Sequence, residues 1–307
     1  MGQSYHIPPR LHLSRLLNPF LALSSGDKIL DLDVELQSFT TPTGPSSKWP
    51  MMSSLLGIEA PPCNHSCGAE KDEAREIQNS LLPSGTLRNA FIEIAYRFSP
   101  FGEVGGDFAD FFTLPNGTIA LYIGDVVGKG IAAAMYAALV MGMLRGITKT
   151  DEQTSTVLAI LNRRLLVRPV QGRFATTLYA VYDPTCHELA FSNAGMPYPL
   201  RASQADCQQL KEGGLPSGMF PDTCYDIHRV SLSPGDSVLF ATDGLHELRG
   251  VNGDDFGWTR MGEIWGQCRE ATADESLQCL LHGAKNFAVG GIQHDDITAV
   301  ALKIPLL

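Results

Sequence analysis

The chain has 307 residues, 44% hydrophobic and 8% aromatic, with a formal net charge of -10. That composition can bury a sizeable core without disulfide staples, and the acidic balance excludes a phosphate-backbone footprint, so nucleic acid is not an expected partner. Seven cysteines without a secreted-scaffold spacing, no cleavable signal and no apolar run of spanning length predict a reducing, cytoplasmic setting away from the membrane.

Residues 1 to 66 are rich in Pro, Ser and Thr, which predicts an irregular leader. Cys63, His65 and Cys67 lie close together, but without a second pair of ligands they do not complete a tetrahedral zinc site. From 69 to 82, Ala74, Ile77, Leu81 and Leu82 recur at helical spacing until Pro83 stops the run. The segment 67 to 86 is therefore a linker helix whose single apolar stripe suits packing on its own domain or a dimerising, signal-coupling contact. A domain from 87 to 307 follows. Alternation predicts a strand over 90 to 98, and a compact apolar run predicts another over 119 to 123. Residues 131 to 147 form a helix that is apolar on almost every face and so should be buried between layers, and 155 to 167 form a second helix. Strand signals resume at 175 to 182, 188 to 192, 227 to 232 and 237 to 241, with Pro234-Gly235-Asp236 expected as the tight turn joining the last two. Helices over 260 to 269 and 274 to 289 precede a final strand over 297 to 303. Runs of strands, then helices, then strands predict an α+β sandwich of antiparallel sheets, not a βαβ repeat.

Four acidic positions stand at the edges of these apolar runs: Gly105-Gly106-Asp107, Gly124-Asp125-Val126, Thr242-Asp243-Gly244 and His294-Asp295-Asp296. A folded core could deliver several of them to one place, which is how a hard-cation site is built. Taken singly, each also suits an ordinary turn. Asp243 ends an apolar strand, where an unpartnered acid is costly, and the adjacent Asp295 and Asp296 repel unless a cation or a proton intervenes. The Gly124 to Gly130 loop is not a Walker A motif: only three residues separate Gly124 from Gly128, and Gly130 stands where Ser or Thr must hold magnesium.

Together, VGGDFADFF, IGDVVGKG, FATTLYAVYD, NAGMPYPLR, LSPGDSVLFATDGLHE and HDDITAVALKI resemble, in order, the metal-dependent PPM (PP2C-like) serine/threonine phosphatases of the bacterial SpoIIE and RsbU branch, over residues 87 to 307. The stretch REIQNSLLP before them is similar to the coupling helix of that branch. The resemblance implies a four-layer αββα sandwich and two Mn²⁺ or Mg²⁺ ions. It implies a ligand set of Asp107, Asp125, the Val126 carbonyl, Asp243 and Asp295, with Asp125 bridging the ions. Asp296 and Asn193 are expected behind the ligands, and Lys129 and Gly128 are expected at the phosphate. Hydrolysis of phosphoserine or phosphothreonine by direct water attack, on a STAS-type phosphoprotein in a partner-switching pathway, is the implied activity. A non-catalytic binding module of the same fold and a different metal-dependent phosphohydrolase are the alternatives. The chain departs from the pattern in carrying Val126 and Val127 after Asp125, where eukaryotic relatives place a histidine, and Met196 where many of the branch have histidine. Arg97 and Arg173 are the candidate phosphate arginines, each with a surface ion pair as its expected fate.

Overall fold

Side chains of alternate residues point to opposite faces of a strand, and the central strands over 119–126, 237–241 and 297–303 are buried on both faces, so two sheets must be covered on both sides. A computed structural model of the chain describes residues 67–148, 153–289 and 293–306. The elements are α1 (Cys67–Leu81), β1 (Leu87–Arg88), β2 (Glu93–Ser99), β3 (Phe108–Thr113), β4 (Ile119–Val126), α2 (Ile131–Ile147), α3 (Thr154–Val167), β5 (Ala175–Asp183), β6 (Glu188–Ala194) and β7 (Leu200–Ala202). They continue with β8 (Cys207–Gln209), β9 (His228–Ser231), β10 (Ser237–Ala241), α4 (Asp243–His246), α5 (Gly257–Gln267), α6 (Ala273–Phe287) and β11 (Ile297–Lys303). One sheet has the order β1-β2-β11-β10-β7-β8 and the other β3-β4-β5-β6-β9. Every strand pairing is antiparallel.

Register divides the core into three apolar layers between four structural ones. On β4, Ala120 and Tyr122 face α2 and α3, where they meet Val140, Leu144, Val157 and Leu161. Ile119, Leu121 and Ile123, of opposite parity, face the second sheet and meet Phe191, Phe240 and Val300. On the far side Leu239, Ala299 and Ala301 pack under Met261, Trp265, Leu277 and Leu280 of α5 and α6. The expected αββα arrangement is therefore present, and no described helix is long and apolar enough to cross a membrane. α6 starts on a capping box in which Thr272 and Glu275 satisfy each other's backbone N–H groups.

Two expectations need correction. The turn at Pro234-Gly235-Asp236 forms, with Gly235 at φ 89°, but it joins no hairpin. β9 pairs with β6, whereas β10 pairs with β11 and β7 in the other sheet. The physical reason is burial: β10 is covered on both faces along its whole length, so it must be an interior strand and takes both its neighbours from the same sheet. α2 is not enclosed on every side; Ala133, Tyr136, Ala137, Val140 and Leu144 face the core, while Met135 is 70% exposed and Ile131 and Leu139 are also exposed. It lies in an outer layer, so only one face meets the sheet. The short elements β7, β8 and α4 carry too few residues for periodicity to reveal them. The leader and the Cys63, His65 and Cys67 cluster lie outside the described residues, apart from the Cys67 backbone that opens α1.

Candidate active site

The carboxylates assemble where the same end of each sheet meets. Phe108 at the start of β3 pairs with Gly124 near the end of β4, and Ala241 at the end of β10 pairs with Ala299 near the start of β11. Asp107 precedes β3. Asp125 lies inside β4, opposite Thr176, because the strand continues past the apolar run to Val126. Asp243 opens α4, and Asp295 and Asp296 lead into β11.

Contacts between these segments are close and specific. The Thr242 hydroxyl donates to Asp107 Oδ2 at 2.8 Å and accepts from the Thr298 N–H at 2.9 Å, which ties the two sheets together at the site. Asp296 accepts from the Phe101 and Gly106 N–H groups at 2.7 Å each, so both its oxygens hold the loop that presents Asp107. Asp295 accepts from the Asp296 N–H at 2.9 Å and pairs with Lys129 Nζ at 2.9 Å. Among the described residues this is the one ion pair made by the five clustered acids. Glycines permit the approach. A Cβ on Gly244 would lie 2.0 Å from the Asp296 carbonyl oxygen, and one on Gly105 would lie 2.4 Å from the Asp296 carboxylate.

Burial and mutual repulsion act on the acids in the same direction. Asp107 is 1% exposed, and its pKa is driven well above the usual carboxylate value by desolvation and then by the charge of Asp125. Asp125 is pushed up to about 7 by burial and by Asp243, with Asp295 and Asp296 adding to the effect. Neither Asp107 nor Asp125 forms an ion pair with a basic side chain among the described residues. Among the described residues no three His, Cys, Asp or Glu side chains close on a point tightly enough to hold an ion by themselves. The residues nevertheless fit a cation site that includes backbone oxygen: a Cβ on Gly106 would stand 2.8 Å from the Val126 carbonyl oxygen and 3.2 Å from Asp125 Oδ1, so the glycine leaves that oxygen pair room for a ligand.

Beside the acids opens a cleft of about 600 Å³, lined by Asp125, Asp243, Met196, Tyr198, His246 and Trp258. His246 stacks on Trp258 with ring centroids 4.4 Å apart, its Nδ1 buried without a partner and its pKa lowered by burial. Met196 takes the Thr176 hydroxyl on its sulfur at 3.3 Å. Asn193 makes no contact with the carboxylates; it donates to the Met196 and Glu212 carbonyls and accepts from the Met196 N–H, and so shapes the cleft wall. Lys129 pairs with Asp295, donates to the His294 carbonyl and lies over the Phe101 ring. Gly128 is at φ 104°, and Arg173 fills the space where its Cβ would be and donates to the Val127 carbonyl. Arg173 forms no ion pair among the described residues, whereas Arg97 pairs with Asp274 of α6 away from the cluster.

Two contributors escape the sequence pattern. Thr242 lies just past the predicted strand 237 to 241 and reads only as the neighbour of Asp243, and Gln78 reads as a polar position on the linker helix. Yet Gln78 Nε2 donates to the Gly105 carbonyl at 2.7 Å and its Oε1 accepts from the Gly105 N–H at 3.1 Å, two residues before Asp107.

Comparison with known proteins bears on the fold and the family. The fold is similar to the solved SiaA-PP2C domain of Pseudomonas aeruginosa, with a TM-score of 0.68 at 20% identity over 82% of this chain and 98% of that one. It is also similar to the PP2C phosphatase domain of SpoIIE from Bacillus subtilis, with a TM-score of 0.62 at 18% identity over 72% of this chain and 64% of that one. In sequence the chain is 27% identical to Protein IcfG of Synechocystis sp. (strain ATCC 27184 / PCC 6803 / Kazusa) over 76% of its own length and 41% of the relative's. It is 28% identical to Phosphoserine phosphatase RsbU of Bacillus subtilis (strain 168) over 60% of its length and 56% of the relative's. The chain thus spans about half the length of these curated relatives. Residues 115–305, well over half of the chain, match the model of Stage II sporulation protein E, and the chain belongs to the SpoIIE family.

Proposed function

We propose that this chain is a metal-dependent protein phosphatase that hydrolyses phosphoserine or phosphothreonine. One observation carries the reading: acids from both sheets meet at the mouth of a cleft, buried and repelling one another, with glycine-made space beside the Val126 carbonyl. Asp107, Asp125, Asp243, Asp295 and the Val126 carbonyl are the residues that would hold two Mn²⁺ or Mg²⁺ ions. When bound, such ions supply an acidified water as nucleophile and screen the phosphoryl charge. Phosphate monoester hydrolysis is among the slowest uncatalysed reactions, so charge neutralisation is the main task of the site.

The chain's own groups have distinct parts in this reading. Thr242 orients Asp107, and Asp296 holds the Phe101 and Gly106 amides so that the acid is presented at a fixed place. Lys129 offsets the charge of Asp295. Gly128 lets the β4-to-α2 turn approach a ligand closely, and Arg173 beside it is the cation able to meet a phosphoryl oxygen. The resemblance to the RsbU branch makes a STAS-type phosphoprotein the substrate of choice and the cytoplasm the place of action.

With Mn²⁺, the purified chain should hydrolyse p-nitrophenyl phosphate and a phosphoserine protein. Asp125→Asn and Asp243→Asn should each lower kcat about a thousandfold or more, consistent with loss of an ion worth several kcal/mol at the transition state. Activity surviving in both variants would sink the two-ion reading. Preference for bis-p-nitrophenyl phosphate would instead point to a diesterase, and tight phosphoprotein binding without turnover to a binding module.

A further inference from the structure

β8 is the last strand of the six-stranded sheet, and one of its two edges has no strand beside it. Its pairing with β7 sets Leu200 opposite Gln209, Arg201 opposite Gln208 and Ala202 opposite Cys207. In the same ladder the hydrogen bonds run from the Ser203 N–H to the Asp206 carbonyl and from the Leu210 N–H to the Pro199 carbonyl. Antiparallel hydrogen bonding alternates residue by residue, so Arg201 and Gln208 form the next bonded pair and the backbone groups of Cys207 and Gln209 face the open edge. Each offers one N–H and one C=O at the repeat that an added strand would match.

That edge does not face bulk solvent alone. It lines a groove of about 930 Å³ whose other wall is α5, and a Cβ on Gly266 of α5 would stand only 3.5 Å from Cys207 Cβ, so the helix lies close against β8 at that point. A groove between a strand edge and a helix is the arrangement in which extended peptides add to a sheet. The groove adjoins the acidic cleft at Trp258. Trp258 lines both, and the chain that leaves β8 passes Lys211 in the groove wall and then Gly213 and Gly214 in the wall of the cleft. Charge points the same way: Lys211 and Arg269 line the groove against the single acid Glu263, and Lys211 forms no ion pair among the described residues. An extended, negatively charged segment laid along β8 is thereby led toward Asp125 and Asp243.

We propose that β8 docks the flank of the phosphoprotein substrate by strand addition, with the phosphorylated side chain delivered into the acidic cleft; this rests on the phosphatase reading above. Backbone pairing supplies affinity without demanding a sequence, while Lys211 and Arg269 favour acidic flanks.

The test uses the full chain with Mn²⁺ and three probes: p-nitrophenyl phosphate, an unstructured phosphoserine peptide of about a dozen residues, and twins of that peptide N-methylated at alternate flank residues in either register. Strand addition predicts that one register loses about tenfold in kcat/KM, mostly in KM, while the other register and p-nitrophenyl phosphate are unaffected. Gln209→Pro removes an outward N–H without touching the β7 ladder and should make the wild-type peptide as poor a substrate as its methylated twin, with p-nitrophenyl phosphate turnover unchanged. Equal turnover of both methylated registers and of the parent peptide overturns the proposal, as does edge-to-edge pairing of two copies that Gln209→Pro abolishes in light scattering while peptide KM stays fixed. Failure of the wild-type chain to hydrolyse p-nitrophenyl phosphate strikes the phosphatase reading itself, a result distinct from either.

Discussion

Asp107 and Asp125 are held by the fold at pKa values above those they have in an unfolded chain, and the sign of that difference fixes how stability must vary with pH. Between the unfolded value near 3.8 and the folded value of about 7 for Asp125, the folded state binds more protons than the unfolded one. Stability therefore falls as pH rises through this window when no divalent ion is present, by about 1.4 kcal/mol per pH unit for one proton. A bound cation favours the ionised forms and reverses the penalty. The expected result is a melting temperature for chelated protein that drops by several degrees from about pH 5 to about pH 7.5, and a Mn²⁺-induced rise that is larger at the higher pH. Asp125→Asn should flatten both trends in a thermal scan; an unchanged pH slope in that variant would remove Asp125 from the account. The acids were legible in the sequence because each stands beside glycine or a second acid at a strand end, a local pattern. Thr242 and Asn193 were not legible in their actual roles, since those depend on partners 135 and 19 residues away whose positions only the folded sheets define.

At the scale of elements, α1 is fastened to the domain at two points that bear on the site. Gln78 donates to the carbonyl and accepts from the N–H of Gly105, and Arg145 of α2 donates to the Leu81 carbonyl at 2.5 Å while also engaging Asp110 of β3. A cation on the last carbonyls of a helix is a favourable end for it. Between α1 and α2 an apolar hollow of about 170 Å³ reaches as far as Asp107. Replacing Gln78 with Leu leaves a buried N–H and C=O unpaired, at a cost of about 1–3 kcal/mol, and frees the loop that carries Asp107. We expect Gln78→Leu to raise the Mn²⁺ concentration for half-maximal p-nitrophenyl phosphate hydrolysis about tenfold, with a smaller change in saturated rate. An unaltered Mn²⁺ requirement would mean that α1 does not support the loop. The helix itself was plain from apolar spacing, and so were α2, α3 and α6. What periodicity could not tell was which strand lies beside which: β9 and β10 are joined by the short link 232–236, yet belong to different sheets.

At the scale of the whole molecule, α1 and α2 leave an apolar surface uncovered among the described residues. Ile77 of α1 and Ile131, Met135 and Leu139 of α2 are all exposed, Met135 to 70%, on helices that pack against each other. A patch of this kind marks an association surface, and a homodimer through α1 is the expectation carried from the linker helix. Light scattering should give twice the chain mass, and Ile77→Glu with Met135→Glu should return the mass of one chain without lowering the melting temperature by more than about 2 °C. A monomer in the unsubstituted protein would leave the patch to a different partner. The layered architecture was open to prediction because alternation along β4, β10 and β11 sorts side chains into separate apolar layers whatever the connections between them. The hydroxyl of Thr242 has a further implication at this scale. Asp107 and Asp125 ride on one sheet, Asp243 and Asp295 on the other, and Thr242 is a stitch across the seam. Neither half of the sandwich owns the site. If the proposed ions bind there, cation affinity becomes a gauge of how the two sheets are seated on one another, and a slip in the apolar layer between them, remote from every carboxylate, would be felt as a widening of the seam.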